Sequence, residues 1–186
     1  MSASSAGRTI LVGGGARSGK SRFALGYARR LGGRRVFVAT AEGLDDEMRV
    51  RIAGHRAERG GEFDTLEVPV ELSGALEKVD ADVVVVDCLT LWLSNLLVGG
   101  LSEAQIDARV EALAEVLARR RYHAVVVSNE VGMGVVPETP LGRVFRDLTG
   151  RAHQRLVRGA DEIYLAAMGL VLRVHPGPVE RAPEWA

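Results

Sequence analysis

The sequence predicts an α/β fold: a three-layer sandwich with a mostly parallel sheet and helices on both faces. Three observations carry that expectation. Short apolar runs alternate with stretches of helical periodicity along most of the chain, the pattern of repeated strand–helix crossovers. The first apolar run, Thr9-Ile10-Leu11-Val12, leads into Gly14-Gly15-Ala16-Arg17-Ser18-Gly19-Lys20-Ser21 and then into a helical pattern. The last two runs, Glu162–Ala167 and Leu170–Val174, flank Met168-Gly169 and read as a C-terminal antiparallel hairpin.

Each element follows from its residues. Arg22 to Ala28 continues the first helix, and Arg35-Val36-Phe37-Val38-Ala39 is the second strand. Asp45 to Arg59 reads as a helix, its first turn acidic as the helix dipole favours. Asp64-Thr65-Leu66-Glu67-Val68 is a short strand and Leu72 to Val79 a helix. Val83-Val84-Val85-Val86-Asp87 is a buried strand ending in an acid. Leu89 to Leu97 and Ser102 to Arg121 are helices, and His123 to Ser128 is another strand. Thr139 caps a helix with Pro140 at its first position, running to about Gly159. Its apolar face is Leu141, Val144, Phe145, Leu148, Ala152 and Leu156. Residues 1–7 and 176–186 read as irregular tails, the latter from its prolines.

The 186 residues suit a single nucleotide-binding domain spanning 1–186. Lys+Arg and Asp+Glu both number 24, so no broad electrostatic pull toward nucleic acid or a membrane surface is expected. No apolar stretch approaches the ~20 residues of a membrane span. Cys88 is the single cysteine, which excludes an internal disulfide and suits a reducing cytoplasm.

Residues 14–21 fit the phosphate-binding pattern G-x-x-x-x-G-K-[ST] in the strand–loop–helix setting it requires. This makes the expected fold a P-loop, RecA-like one. Its glycines let successive N–H groups face phosphate oxygens, and the helix N-terminus favours an anion. Lys20 supplies a compact charge for the β and γ phosphates, and the Ser21 hydroxyl can ligate Mg²⁺. Of the 24 basic residues only Lys20 and Lys78 are lysines, so lysine persists at the loop in an arginine-biased chain. The planar fork of arginine does not replace an ammonium inside a tight phosphate nest.

Ligands of open parallel sheets sit at the carboxyl ends of strands. That edge collects the P-loop, Thr40, Asp87 and Asn129-Glu130. Asp87 fits the acid that holds Mg²⁺ in P-loop enzymes, with a cap of the following helix as the competing reading. Asn129-Glu130, before Gly132 and Gly134, is either an ordered functional loop or an ordinary connection, and Glu130 is a candidate base if geometry allows. Met48, Ile52 and His55 share a helical face, with Arg51, Arg56 and Arg59 close in sequence. Neighbouring positive charge would keep the His55 imidazole neutral and nucleophilic, although most surface histidines do no chemistry. His123, His153 and His175 read as structural, Cys88 as a small buried hydrophobe, and zinc spacing is absent from the sequence.

These pieces together resemble the bifunctional adenosylcobinamide kinase / adenosylcobinamide-phosphate guanylyltransferase family. The carriers are the P-loop, Ala39-Thr40-Ala41, Asp45-Asp46-Glu47-Met48 leading to Arg51-Ile52-Ala53-Gly54-His55, Asp87-Cys88-Leu89-Thr90, and Ser94-Asn95-Leu96-Leu97. With them go Asn129-Glu130-Val131-Gly132-Met133-Gly134-Val135-Val136-Pro137-Glu138, Phe145-Arg146-Asp147 and Gly150 to Leu156. The resemblance implies that His55 attacks the α-phosphorus of GTP and carries GMP, with Lys20 as the second catalytic residue. It implies nucleotide contacts from Gly14, Gly15, Ala16, Arg17, Ser18, Gly19, Lys20 and Ser21. Further contacts would come from Ala39, Thr40, Ala41, Arg56, Ala57, Glu58, Arg59, Glu67 and Asp87. It also implies Mg²⁺ at Ser21 and Asp87, GTP and ATP as substrates, adenosylcobinamide and its phosphate as acceptors, and a cytoplasmic homotrimer.

Three other readings compete. A P-loop small-molecule kinase without guanylyltransfer would make His55 an ordinary helix residue. A regulatory GTPase should show Asp-x-x-Gly and Asn-Lys-x-Asp, but Asp87 precedes Cys88-Leu89-Thr90 and Asn129 precedes Glu130. A nucleic-acid-dependent ATPase is weakened by the neutral charge and the lack of a basic stripe with aromatics.

Overall fold

A computed structural model describes residues 6–42, 54 and 60–183 of the chain. In order, it runs β1 (Thr9–Gly14), α1 (Lys20–Leu31), β2 (Arg35–Ala39), β3 (Asp64–Glu67), α2 (Leu72–Lys78), β4 (Val83–Asp87), α3 (Leu89–Val98), α4 (Glu103–Ala118), β5 (His123–Val127), α5 (Pro140–Val157), β6 (Glu162–Ala167), β7 (Leu170–His175) and β8 (Glu180–Arg181). The helix expected over Asp45 to Arg59 lies outside the described residues.

The strands form one sheet in the order β3-β2-β4-β5-β1-β6-β7-β8. The pairs among β1–β6 are parallel, and β7 and β8 are antiparallel additions. Parallel strands need crossovers, and the helices that supply them cover both faces. Alternation along the strands divides the core. Ile10, Val12, Phe37, Val83, Val85, Val125 and Val127 pack with Phe23, Ala24 and Tyr27 of α1. Val36, Val38, Val84, Val86 and Val126 pack on the other face against Leu76, Trp92, Leu113 and Leu148 of α2 to α5. Central strands buried on both faces explain why their sequences read as unbroken valine runs.

Helix ends match their residues. Ser102 and Gln105 form a reciprocal capping box at α4, and Thr139 Oγ1 accepts from the Gly142 N–H ahead of Pro140 at α5. Across α4 and α5, Arg151 pairs with Glu103 and Asp107, and Arg155 with Glu111.

Three expectations need correction. The C-terminal tail is not irregular throughout: β8 pairs with β7, the Ala182 N–H donates to Val171 O at 2.7 Å, and Ala182 is buried in the α1-side core. At the other end Gly7 is buried, its N–H held by Arg120 O at 2.9 Å. Leu141 does not join the apolar face of α5 but is exposed, because it sits in the first turn, beyond the packed stretch from Val144 to Leu156.

Candidate active site

All parallel strands end on the same edge, so the sheet brings the P-loop, residues 39–41, Asp87 and Asn129-Glu130 together there. Register confirms the alignment: Ala39 lies opposite both Glu67 and Asp87, and Asp87 opposite Val127.

The P-loop begins where β1 stops pairing. Gly14 has φ 150° and approaches β6 so closely that a Cβ would lie 2.4 Å from Ala166 O, which admits only glycine. Gly19, at φ 93°, turns the chain into α1 as its N-cap. Lys20 is buried, and its ammonium donates to Gly15 O at 2.7 Å, holding the charge against the loop backbone. Ser21 follows in the first turn of α1.

Asp87 ends β4, one strand removed from β1 because β5 lies between them. The competing capping role is not what it does, since Cys88 occupies the N-cap of α3. Asp87 is half-buried, and its charge, together with burial as the larger cause, pushes the buried Cys88 thiol up, while the Lys20 charge opposes. Lys20 and Asp87 therefore both act on the same small volume at the end of the sheet. Among the described residues, no group of three or more His, Cys, Asp or Glu is placed to hold a metal ion.

Thr40 ties two strand ends together. It is fully buried; its Oγ1 accepts from the Cys88 N–H at 2.8 Å and donates to Cys88 O at 2.7 Å. Asn95 Nδ2 then donates to Thr40 O at 2.8 Å and to Pro69 O at 3.0 Å, fastening α3 to the same edge. Ala39 and Ala41 flank it, half-buried. Glu67 is exposed on β3, four strand spacings from β1, roughly 19 Å away. His55, Arg56, Ala57, Glu58 and Arg59 lie outside the described residues.

Beyond β5 the structure builds a cluster that residue spacing left open. Asn129 Nδ2 donates to Thr90 Oγ1 at 2.9 Å. Ser128 Oγ and His153 Nε2 are 2.7 Å apart, and His153 Nδ1 lies 3.9 Å from Glu130 Oε2. The Glu130 N–H donates to Gly14 O at 2.9 Å, joining this loop to the P-loop. By spacing alone His153 reads as structural. The signal that could have found it is helical phase: Thr149 and His153, at i and i+4, run beside the buried stripe Leu148, Ala152, Leu156.

The chain matches the cobinamide kinase / cobinamide phosphate guanyltransferase family over residues 10–174. It belongs to that family. Among curated relatives, it is 40% identical over 171 residues to the bifunctional adenosylcobalamin biosynthesis protein CobP of Pseudomonas aeruginosa, covering 91% of this chain and 98% of that protein. It is 37% identical over 182 residues to the bifunctional adenosylcobalamin biosynthesis protein CobU of Salmonella typhimurium, covering 89% and 98%. With CobU of Escherichia coli it shares 38% over 185 residues, at the same coverage. Among solved structures, a protein of Pyrococcus horikoshii OT3 matches with TM-score 0.53 at 14% identity, over 90% of this chain and 86% of that one. An ATPase of the type III secretion system of pathogenic bacteria matches with TM-score 0.52 at 11% identity, over 88% and 52%. At such identities these two speak for the fold alone. Among the described residues, no helix is long and apolar enough to cross a membrane.

Proposed function

We propose that this chain is a single-domain bifunctional enzyme of cobalamin biosynthesis that phosphorylates adenosylcobinamide and then transfers GMP to the product. The observation that carries this reading is the P-loop and Asp87 on one sheet edge of a chain that matches the family over residues 10–174. In the first reaction, the γ-phosphoryl group of ATP or GTP passes to the aminopropanol hydroxyl of adenosylcobinamide. The loop amides of Gly14–Gly19 and the Lys20 ammonium offset charge on the transferring group. Ser21 and Asp87 are hard oxygen donors suited to Mg²⁺, which when bound neutralises phosphate charge.

In the second reaction, His55 attacks the α-phosphorus of GTP, the bond to the β-phosphate oxygen breaks, and pyrophosphate leaves. Adenosylcobinamide phosphate then attacks the GMP–histidine and yields adenosylcobinamide-GDP, freeing the imidazole. Arg56, Ala57, Glu58, Arg59, Ala39, Ala41, Glu67 and Asp87 contact the nucleotide in this reading, while Thr40, wholly buried with its hydroxyl on Cys88, supports the edge from beneath. The enzyme works in the cytoplasm as a homotrimer, and light scattering tests the trimer.

The decisive experiment incubates wild type and His55→Ala with Mg²⁺ and GTP labelled at the α-phosphorus. The expected outcome is an acid-labile, alkali-stable protein label that the variant lacks. A wild type that phosphorylates adenosylcobinamide yet never takes the label would make this a kinase alone.

A further inference from the structure

Beside the P-loop lies a cleft of about 380 Å³. The loop backbone from Gly14 to Ser18 forms one wall, Glu130 and Met133 another, and the β6–β7 hairpin around Ala166 and Met168 the third. Lys20 and Ser21 are not among the described lining residues, so the cleft flanks the phosphate nest rather than filling it. Among those lining residues Glu130 is the one carboxylate, and Arg17 and Ser18 are the other polar side chains. Ser18 Oγ is buried with no hydrogen-bond partner among the described residues. The remainder is backbone, alanine, leucine and methionine, a surface for a short aliphatic group.

Two hydrogen bonds hold Glu130, and a histidine faces it. Its N–H donates to Gly14 O, so the residue moves with the P-loop. Its Oε1 accepts from the Gly132 N–H at 2.6 Å. Its Oε2 faces His153 Nδ1 at 3.9 Å, and His153 Nε2 meets Ser128 Oγ at 2.7 Å. Burial pushes the His153 imidazole below its ordinary range, so near neutral pH it carries one N–H. A Ser128 hydroxyl donating to Nε2 leaves that proton on Nδ1, the side facing Glu130.

We propose that this cleft receives the acceptor alcohol of the kinase step, that Glu130 is its general base, and that His153 is the residue that positions Glu130. The inference rests on the kinase activity proposed above. The hydroxyl enters between the loop and Glu130, and its aliphatic arm lies against Met133 and Met168. As the acceptor oxygen bonds to the γ-phosphorus, its proton passes to the Glu130 carboxylate. The bond from the γ-phosphorus to the bridging oxygen breaks, and the nucleoside diphosphate leaves with the electron pair. Glu130 returns its proton to solvent when the product departs.

The test measures two activities on each variant: release of nucleoside diphosphate with adenosylcobinamide as acceptor, and protein labelling by α-labelled GTP. Glu130→Gln is expected to lower kinase kcat by about 10²- to 10³-fold while KM stays within about threefold and the label persists. His153→Asn keeps a donor near the Nδ1 position and should stay within about threefold of wild type; His153→Leu should lose about tenfold in kcat with KM unmoved. Glu130→Gln with kcat within about fivefold of wild type overturns the proposal. A parallel loss of labelling and kinase turnover also overturns it, since Glu130 then serves the fold. A wild type that takes the label but phosphorylates nothing overturns the kinase reading underneath, and this proposal with it.

Discussion

Thr40 shows how a single hydroxyl can set the edge on which the chemistry sits. Both hydrogen-bonding roles of its Oγ1 are spent on Cys88, the residue after Asp87, and it is wholly buried. Thr40→Val keeps the shape but leaves a buried N–H without its acceptor and a buried C=O without its donor. The expected loss is about 2 kcal/mol, a fall in Tm of roughly 4–8 °C for a domain of this size. Thermal denaturation checks it, and a Tm within about 1 °C of wild type would show that the strand ends re-pair through water. This tie to Cys88 was not legible in the sequence, where Thr40 stood out by following a strand and by its place in Ala39-Thr40-Ala41. The partner of a side chain 48 positions away depends on sheet order, which spacing does not encode. The P-loop was legible for the opposite reason: its geometry is made by consecutive residues, so Gly14, Gly19 and Lys20 announce their roles locally. Asp87 lay between these cases, its place at a strand end readable and its freedom from capping not.

At the scale of elements, local codes held where one segment supplies all its own partners. Ser102 with Gln105, and Thr139 before Pro140, fixed helix starts within a residue of expectation. Strand β8 escaped because two residues carry no periodicity; it exists through pairing with β7 and the burial of Ala182. The same contrast ranks two substitutions on the α4–α5 pair. Ser102→Ala removes a reciprocal cap and should destabilise by about 1 kcal/mol, or roughly 2–4 °C in Tm. Arg155→Ala removes an exposed ion pair with Glu111, which water and salt already screen, and should leave Tm unchanged. Thermal melts at low and high salt separate the two: the Ser102 loss should persist in high salt. If Arg155→Ala proves the more damaging change, the ladder between α4 and α5 is a cooperative network and not a solvated surface.

For the whole molecule, equal numbers of acidic and basic residues leave little long-range charge to drive pH dependence, so titration of a few buried groups should dominate. Burial is the larger cause that pushes His123 and His153 below their ordinary value of 6.5. The unfolded chain therefore binds protons near pH 6 that the folded chain refuses, and stability falls as pH drops through 6.5. At the other extreme, burial pushes Tyr122 from 10.0 up to about 12. Burial first, then the shared hydrogen bonds to Glu162, also raises Tyr27 and Tyr164. Folded tyrosines keep protons that the unfolded chain releases, so their contribution is complete below pH 10 and is lost as pH rises from 10.0 towards 12. Chemical denaturation across pH should give a plateau bounded on both sides. Tyr122→Phe isolates one term, because it removes the titrating group and its hydrogen bond to Leu76 O while keeping the ring. The variant should be less stable at neutral pH by the lost hydrogen bond, about 1 kcal/mol, yet decline less steeply above pH 10. An alkaline slope identical to that of wild type would assign the decline to Tyr27 and Tyr164 around Glu162, where β6 meets α1.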